Sequence, residues 1–186
     1  MQEDIRRATE VLRNGGVILY PTDTVWGLGC DATCSAAVKR IFEIKQRSDS
    51  KALIMLVGNA GTLQRYVNDI PDVAWELIEA AVNPLTIIYD HPAGIAPEAK
   101  AADGSAGFRI TGETVSQRLC NSFRKPLVST SANISGKPAP RVFSEIDRRI
   151  IDAVDYVMTA RRNDTSASNP SSIIKVGAGG LFKIIR

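Results

Sequence analysis

Val17-Ile18-Leu19-Tyr20-Pro21-Thr22-Asp23-Thr24-Val25-Trp26-Gly27-Leu28-Gly29 is the stretch from which the fold is read. Its first four residues form a short apolar run that a proline stops, the pattern of a buried strand. Thr22, Asp23 and Thr24 then place two hydroxyls and a carboxylate at the strand's carboxyl end, the edge where open α/β sheets bind ligands. Gly27 and Gly29 permit close backbone approach, although G-x-G without a third glycine is a weak phosphate signal. A plain Pro-Thr turn followed by an ordinary glycine loop is the competing reading.

Upstream, Ile5, Ala8, Val11 and Leu12 recur at helical spacing before Gly15 and Gly16, which predicts a helix over residues 2–14 closed by a glycine C-cap. Downstream, Ser35 is a candidate N-cap for a helix whose apolar stripe is Val38, Ile41 and Phe42 and which ends near residues 45–47. Strands are expected at 53–57, 85–89, 107–110, 127–129, 155–158, 172–176 and 181–185, and helices at 72–81, 113–123 and 143–150. Helices alternate with strands, yet several strands follow one another directly, so the fold class is α/β with a mixed parallel/antiparallel sheet. Residues 93–107 and 161–172, rich in small and polar side chains, are the expected mobile loops.

The chain has 186 residues with 44% hydrophobic and 23% charged content, which fits a single domain over 1–186. At this size roughly 70% of the unfolded surface can be buried, so neither disulfides nor a structural metal is needed. No apolar run reaches about 18 residues and the amino terminus is acidic, so no membrane association and a cytoplasmic location are expected. Cys30, Cys34 and Cys120 match no zinc or redox spacing and read as buried thiols. His91, the one histidine, precedes a proline in a turn-like stretch and reads as a neutral surface residue. The net charge of +3 does not by itself indicate a nucleic-acid partner.

Three further groups could carry chemistry. Lys45, Arg47 and Lys51 lie at a helix end and the entry to a strand, where they either face the helix dipole and water or hold a triphosphate. Ser129-Thr130-Ser131-Ala132-Asn133-Ile134-Ser135-Gly136 follows a short apolar strand, and alternation points Ser131 and Asn133 the same way. Arg109 stands inside the apolar run Gly107–Ile110 and needs a partner if buried, either a structural Asp or Glu or a ligand carboxylate or phosphate. Hydroxyl, amide and cation groups thus recur after separate strands, as a convergent pocket requires.

Residues 20–31 (Tyr-Pro-Thr-Asp-Thr-Val-Trp-Gly-Leu-Gly-Cys-Asp), Lys45-Gln46-Arg47 with Lys51, and residues 129–138 (Ser-Thr-Ser-Ala-Asn-Ile-Ser-Gly-Lys-Pro) resemble the hallmark segments of YrdC/TsaC-like threonylcarbamoyl-AMP synthases, in that family's order. The chain resembles the short form of the family. The resemblance implies a twisted mixed sheet with flanking helices around a basic cavity. It also implies a nucleotidyltransferase that makes threonylcarbamoyl-AMP and pyrophosphate from L-threonine, bicarbonate or CO2, and ATP, for tRNA threonylcarbamoyladenosine modification.

Carried over, the resemblance assigns Thr24, Arg109, Ser131 and Ser171 to threonine. It assigns Lys45, Arg47, Lys51, Ser105, Asn133, Arg141 and Arg186 to ATP, with Lys45 and Arg47 as the catalytic cations. Mg²⁺ is expected to arrive with ATP rather than in a carboxylate cage, with no prosthetic group. Possible partners are tRNA or double-stranded RNA and a downstream tRNA-modifying complex. Two other readings stay open: an RNA-binding or ribosome-associated module of the same fold, and a paralogue acting on another carbamoyl or adenylate substrate. The 6% aromatic content and the lack of a basic-aromatic stretch argue against RNA binding.

Overall fold

The computed structural model describes residues 1–47, 53–165, 170–177 and 181–186. Among them the apolar runs become strands of one sheet: β1 (Ile18–Tyr20), β2 (Gly27–Gly29), β3 (Ile54–Val57), β4 (Leu85–Tyr89), β5 (Ala106–Ile110), β6 (Leu127–Ser131), β7 (Tyr156–Val157), β8 (Ser172–Val176) and β9 (Phe182–Ile184). Their spatial order is β7-β1-β2-β6-β3-β5-β4-β8-β9. The β1–β7, β3–β5 and β4–β8 pairs are parallel and the rest antiparallel, so the sheet is mixed, as the strand spacing predicted.

Helices cover both faces, which is why the strands read as continuous apolar runs instead of alternating ones. On one face α1 (Gln2–Arg13) and α5 (Thr114–Phe123) pack Ile5, Leu12, Leu119 and Phe123 against Ile18, Tyr20, Leu56 and Leu127. On the other, α2 (Ser35–Ile44), α3 (Ala60–Gln64), α4 (Asp72–Ala80) and α6 (Arg148–Ala153) enclose Leu19, Leu28, Met55, Val57 and Phe108. Neighbouring residues such as Leu19 and Tyr20 therefore serve opposite cores, as a strand's two-residue alternation dictates.

The first helix closes as expected. Gly15, at φ +76°, donates to the Leu12 carbonyl and Gly16 to that of Val11, the paired bonds of a Schellman cap. Other boundaries shift. The N-cap of α2 is Cys34, which makes no side-chain cap bond, rather than Ser35. Glu113 caps α5, accepting from the Val115 and Ser116 amides at 3.0 and 2.8 Å. The helix expected over 143–150 divides into a 3₁₀ turn, Phe143–Glu145, and α6, because Asp147 caps a new start by accepting from the Arg149 amide.

Two elements had no counterpart in the sequence reading. The Gly27-Leu28-Gly29 segment, expected as a loop, is a strand between β1 and β6, and α3 begins at Asn59, whose side chain accepts from the Thr62 amide. The 93–107 segment, expected to be loose, is tied down: the Ala96 amide donates to Ala32 O at 2.8 Å, Ala96 and Ala99 are buried, and Pro97–Ala99 forms a 3₁₀ turn. In the 161–172 segment, residues 166–169 lie outside the described residues, while Arg161 donates to Thr22 O at 3.0 Å.

Cys30 and Cys120 are buried free thiols and Cys34 is half-buried. Burial pushes the Cys120 thiol up to about 12 and raises that of Cys30 further. His91 is exposed, at φ +48°. Among the described residues no helix is long and apolar enough to cross a membrane.

Candidate functional site

The face that carries α1 and α5 is not fully covered by them. Where they end, the same face turns polar. Register sets Ile54 beside Ser129 and Gly107, and alternation then brings Arg109 of β5 and Ser131 of β6 to this side. Thr86 of β4 joins them: its Cγ2 is 3.1 Å from where a Gly107 Cβ would stand. Thr24 and Val25, arriving from the end of β1, complete one wall, and Pro170, Ser171 and Arg186 complete the other.

The result is a cavity of about 240 Å³ lined by Thr24, Gly27, Ile54, Arg109, Ser129, Thr130, Ser131, Ser171 and Arg186 among others. That volume leaves room for a small polar metabolite. Thr24 and Ser131 enter from strand ends, but Arg109 and Ser129 rise from the face of the sheet. The site is therefore a face pocket as much as a strand-end one.

Arg109 dominates its electrostatics. Only 3% exposed, it contacts Asp23 (Nη2 to Oδ1, 3.1 Å) and donates through Nη1 to Thr86 Oγ1 at 3.4 Å, a long bond. Thr86 Oγ1 in turn pairs with Ser171 Oγ at 3.0 Å. The ion pair is a contact of charges without hydrogen-bond alignment, since Asp23 Oδ1 and Arg109 Nε are both buried with no hydrogen-bond partner among the described residues. Burial raises the Asp23 carboxyl and the adjacent guanidinium opposes it.

The remaining candidates divide into those at the cavity and those beside it. Lys45, at the end of α2, is 3% exposed, and its ammonium donates to Asn133 O at 2.8 Å, to Asn133 Oδ1 at 3.3 Å and to Ser131 O. Burial and then the Arg47 charge push it down to about 8. Arg47 is half-buried and places its guanidinium 5.6 Å from the Phe42 ring centroid. Arg186 reaches the cavity while its Nε donates to Ser171 O at 3.3 Å.

Arg141 lies beyond the Thr24–Val25 wall, in a small cleft with Trp26, Arg161 and Asp164. Ser105 stands apart from the cavity lining; its hydroxyl donates to Asp103 at 2.6 Å. Lys51 falls outside the described residues.

Four contributors were not singled out from the sequence. Ser129 was readable, because it alternates with Ser131. Thr86 carried the same signal as Arg109, a polar group in an apolar strand. Asp23 was quoted but not tied to Arg109, and Arg161, which bridges Thr22 O, Glu113 and Asp164, had no local signal.

Comparison with known proteins gives this geometry a family. The Sua5/YciO/YrdC profile, described as telomere recombination, matches residues 10–186. A threonylcarbamoyl-AMP synthase of Escherichia coli K12 is 36% identical over 188 residues, covering 98% of this chain and 97% of its own. One from Hahella chejuensis is 32% identical, covering 96% and 97%.

Among solved structures, P. abyssi Sua5 complexed with L-threonine superposes with a TM-score of 0.83 at 26% identity over 98% of this chain, which spans about half of that longer chain (53%). E. coli YciO, at 24% identity and a TM-score of 0.85, covers 100% of this chain and 89% of its own, and shares the fold. Profile, full-length relatives and fold agree, and the chain belongs to the Sua5/YciO/YrdC family of enzymes.

Proposed function

We propose that the chain is an L-threonylcarbamoyl-AMP synthase that binds L-threonine in the Arg109 cavity and ATP beside it. The observation that carries this reading is the Arg109 side chain, 3% exposed, on the lining of a cavity ringed by Thr24, Ser131 and Ser171. A cation on the wall of a small cavity favours an anion there, and a small hydroxyamino acid offers a carboxylate for it and polar groups for the hydroxyls. Full-length relatives bear this activity in their names, and a structural neighbour is a threonine complex.

The chemistry asks more of charge than of acid-base groups. Threonine's amine forms an N–C bond to CO2 and loses a proton to give a carbamate. A carbamate oxygen then attacks the α-phosphorus of ATP while the bond to the β-phosphate oxygen breaks and pyrophosphate departs. Positioning and anion neutralisation are the main demands. Arg47, Arg141 and Arg186 are the cations suited to the nucleotide, with Lys51 and Ser105 further contacts and the Lys45–Asn133 wall beside them.

Mg²⁺ would be held by phosphate oxygens. Asp23 is occupied by Arg109, and the described residues contain no group of three or more His, Cys, Asp or Glu able to hold a metal ion. The proposal extends to a cytoplasmic location and to a tRNA-modifying complex that consumes the product.

Incubation with ATP, threonine and bicarbonate is expected to release pyrophosphate only when threonine is present. Threonine-independent release, or none where an E. coli synthase works in parallel, refutes the assignment. Arg47→Ala is expected to weaken ATP binding by about 1.5–3 kcal/mol, the scale of a charged hydrogen bond.

A further inference from the structure

We infer that Lys45 is a positioning residue: it fixes the loop after β6, and through it the Ser131 hydroxyl on the cavity wall, rather than ligating phosphate. The inference rests on the proposed function only for the identity of the cavity's ligand.

An ammonium has three N–H donors, and Lys45 directs Nζ at three oxygens of this loop: Ser131 O, Asn133 O and Asn133 Oδ1. Its own carbonyl accepts from the Ser135 amide at 2.8 Å, so the same residue grips the loop at both ends. Asn133 is equally committed. Its Oδ1 also accepts from Ser131 Oγ, and its Nδ2 donates to Ile134 O at 3.2 Å and Lys137 O at 2.6 Å.

The amide orientation is dictated by chemistry, because Lys45 can only donate and so must meet Oδ1. A phosphate oxygen that captured Lys45 would take the ammonium from Asn133 O, a half-buried carbonyl, while Ser131 O would keep the Asn133 amide at 2.9 Å.

This arrangement also sets what Ser131 can recognise. Its proton is given to Asn133 Oδ1, so the hydroxyl presents lone pairs to the cavity. The ligand group that faces it must be a donor, such as a hydroxyl or an ammonium. Lys45 thereby fixes the polarity of the cavity wall from behind.

The test compares Lys45→Met with wild type by calorimetric titration of L-threonine and, separately, of ATP, alongside amide hydrogen exchange. Threonine affinity is expected to fall tenfold or more while ATP affinity changes less than threefold. The Ala132 and Ser135 amides, which donate to Trp26 O and Lys45 O, are expected to lose at least tenfold protection. On a Ser131→Ala background the effect of Lys45→Met on threonine is expected to shrink below threefold, since residues acting through one contact do not add.

A tenfold loss of ATP affinity with threonine unchanged, additive effects, or unaltered exchange overturns the inference. If Lys45→Met does not fold, Lys45→Gln, which keeps two N–H donors without the charge, replaces it: unchanged ATP binding supports the positioning role and weakened ATP binding refutes it. A wild-type protein that binds no threonine defeats the proposed function instead, and hydrogen exchange then decides the role of Lys45 by itself.

Discussion

Arg109, buried, and Asp23, largely buried beside it, form a pair whose value lies in what each does to the other. Arg109→Met removes the largest influence opposing the desolvation of Asp23, and breaking such a pair from one side costs up to about 3–5 kcal/mol. Urea unfolding is expected to show that loss, and Arg109→Met with Asp23→Asn is expected to recover most of it while still failing to bind threonine. The loss should also depend on pH. Burial already raises the Asp23 carboxyl and removal of Arg109 takes away the largest influence opposing it, so the folded state holds its proton to higher pH than the unfolded chain. Stability from this group is then full below the ordinary carboxylate value of about 3.9 and is lost as pH rises above it. The Arg109→Met deficit should accordingly shrink on acidification from neutral pH toward 4; a deficit that grows would refute the account. The need of Arg109 for a partner was readable from one strand, whereas its choice of Asp23 was not, because only the fold brings the β1 loop onto β5.

Among the elements, β2 shows how packing overrides local propensity. Gly-Leu-Gly is a poor strand sequence, yet it pairs on both sides because it is held between β1 and β6. Of its two glycines, Gly29 is required by what crosses it. A Cβ on Gly29 would stand 2.6 Å from Tyr20 Cε1 and 3.1 Å from Val128 O, and Tyr20 is fully buried. Gly29→Ala is expected to destabilise by about 1–3 kcal/mol through overpacking. Gly136, at φ +81° with nothing within 4 Å of an added Cβ, should lose only about 1 kcal/mol on the same change, from backbone conformation. Equal urea midpoints for the two variants would contradict this ordering. The other differences have similar causes. The division of the 143–150 helix turns on the Asp147 side chain seizing a backbone amide, and the 93–107 segment is held by the Ala32 carbonyl, far away in sequence.

For the whole molecule, the relevant quantity is the coupling between the two proposed ligands, threonine in the face pocket and ATP beside it. Arg186 and Ser171 from one side and Thr24 and Ser131 from the other enclose the cavity, so a first ligand that orders these walls should favour the second. Thermal-shift titration is expected to show stabilisation by ATP and threonine together that exceeds the sum of their separate effects; strict additivity would refute the coupling. The sequence by itself determined the α/β class, the mixed sheet, the buried runs of β1, β3 and β6, and the polar residues Thr24, Arg109, Ser131 and Asn133, because alternation, proline and glycine punctuation and the burial cost of a cation are local properties. Tertiary structure alone decided that β2 is a strand, that Arg109 meets Asp23, that Lys45 faces the loop after β6, and that the pocket opens on the sheet's face where α1 and α5 end. These depend on which strands become neighbours, and strand order arises from the summed burial of both faces, which no single segment encodes.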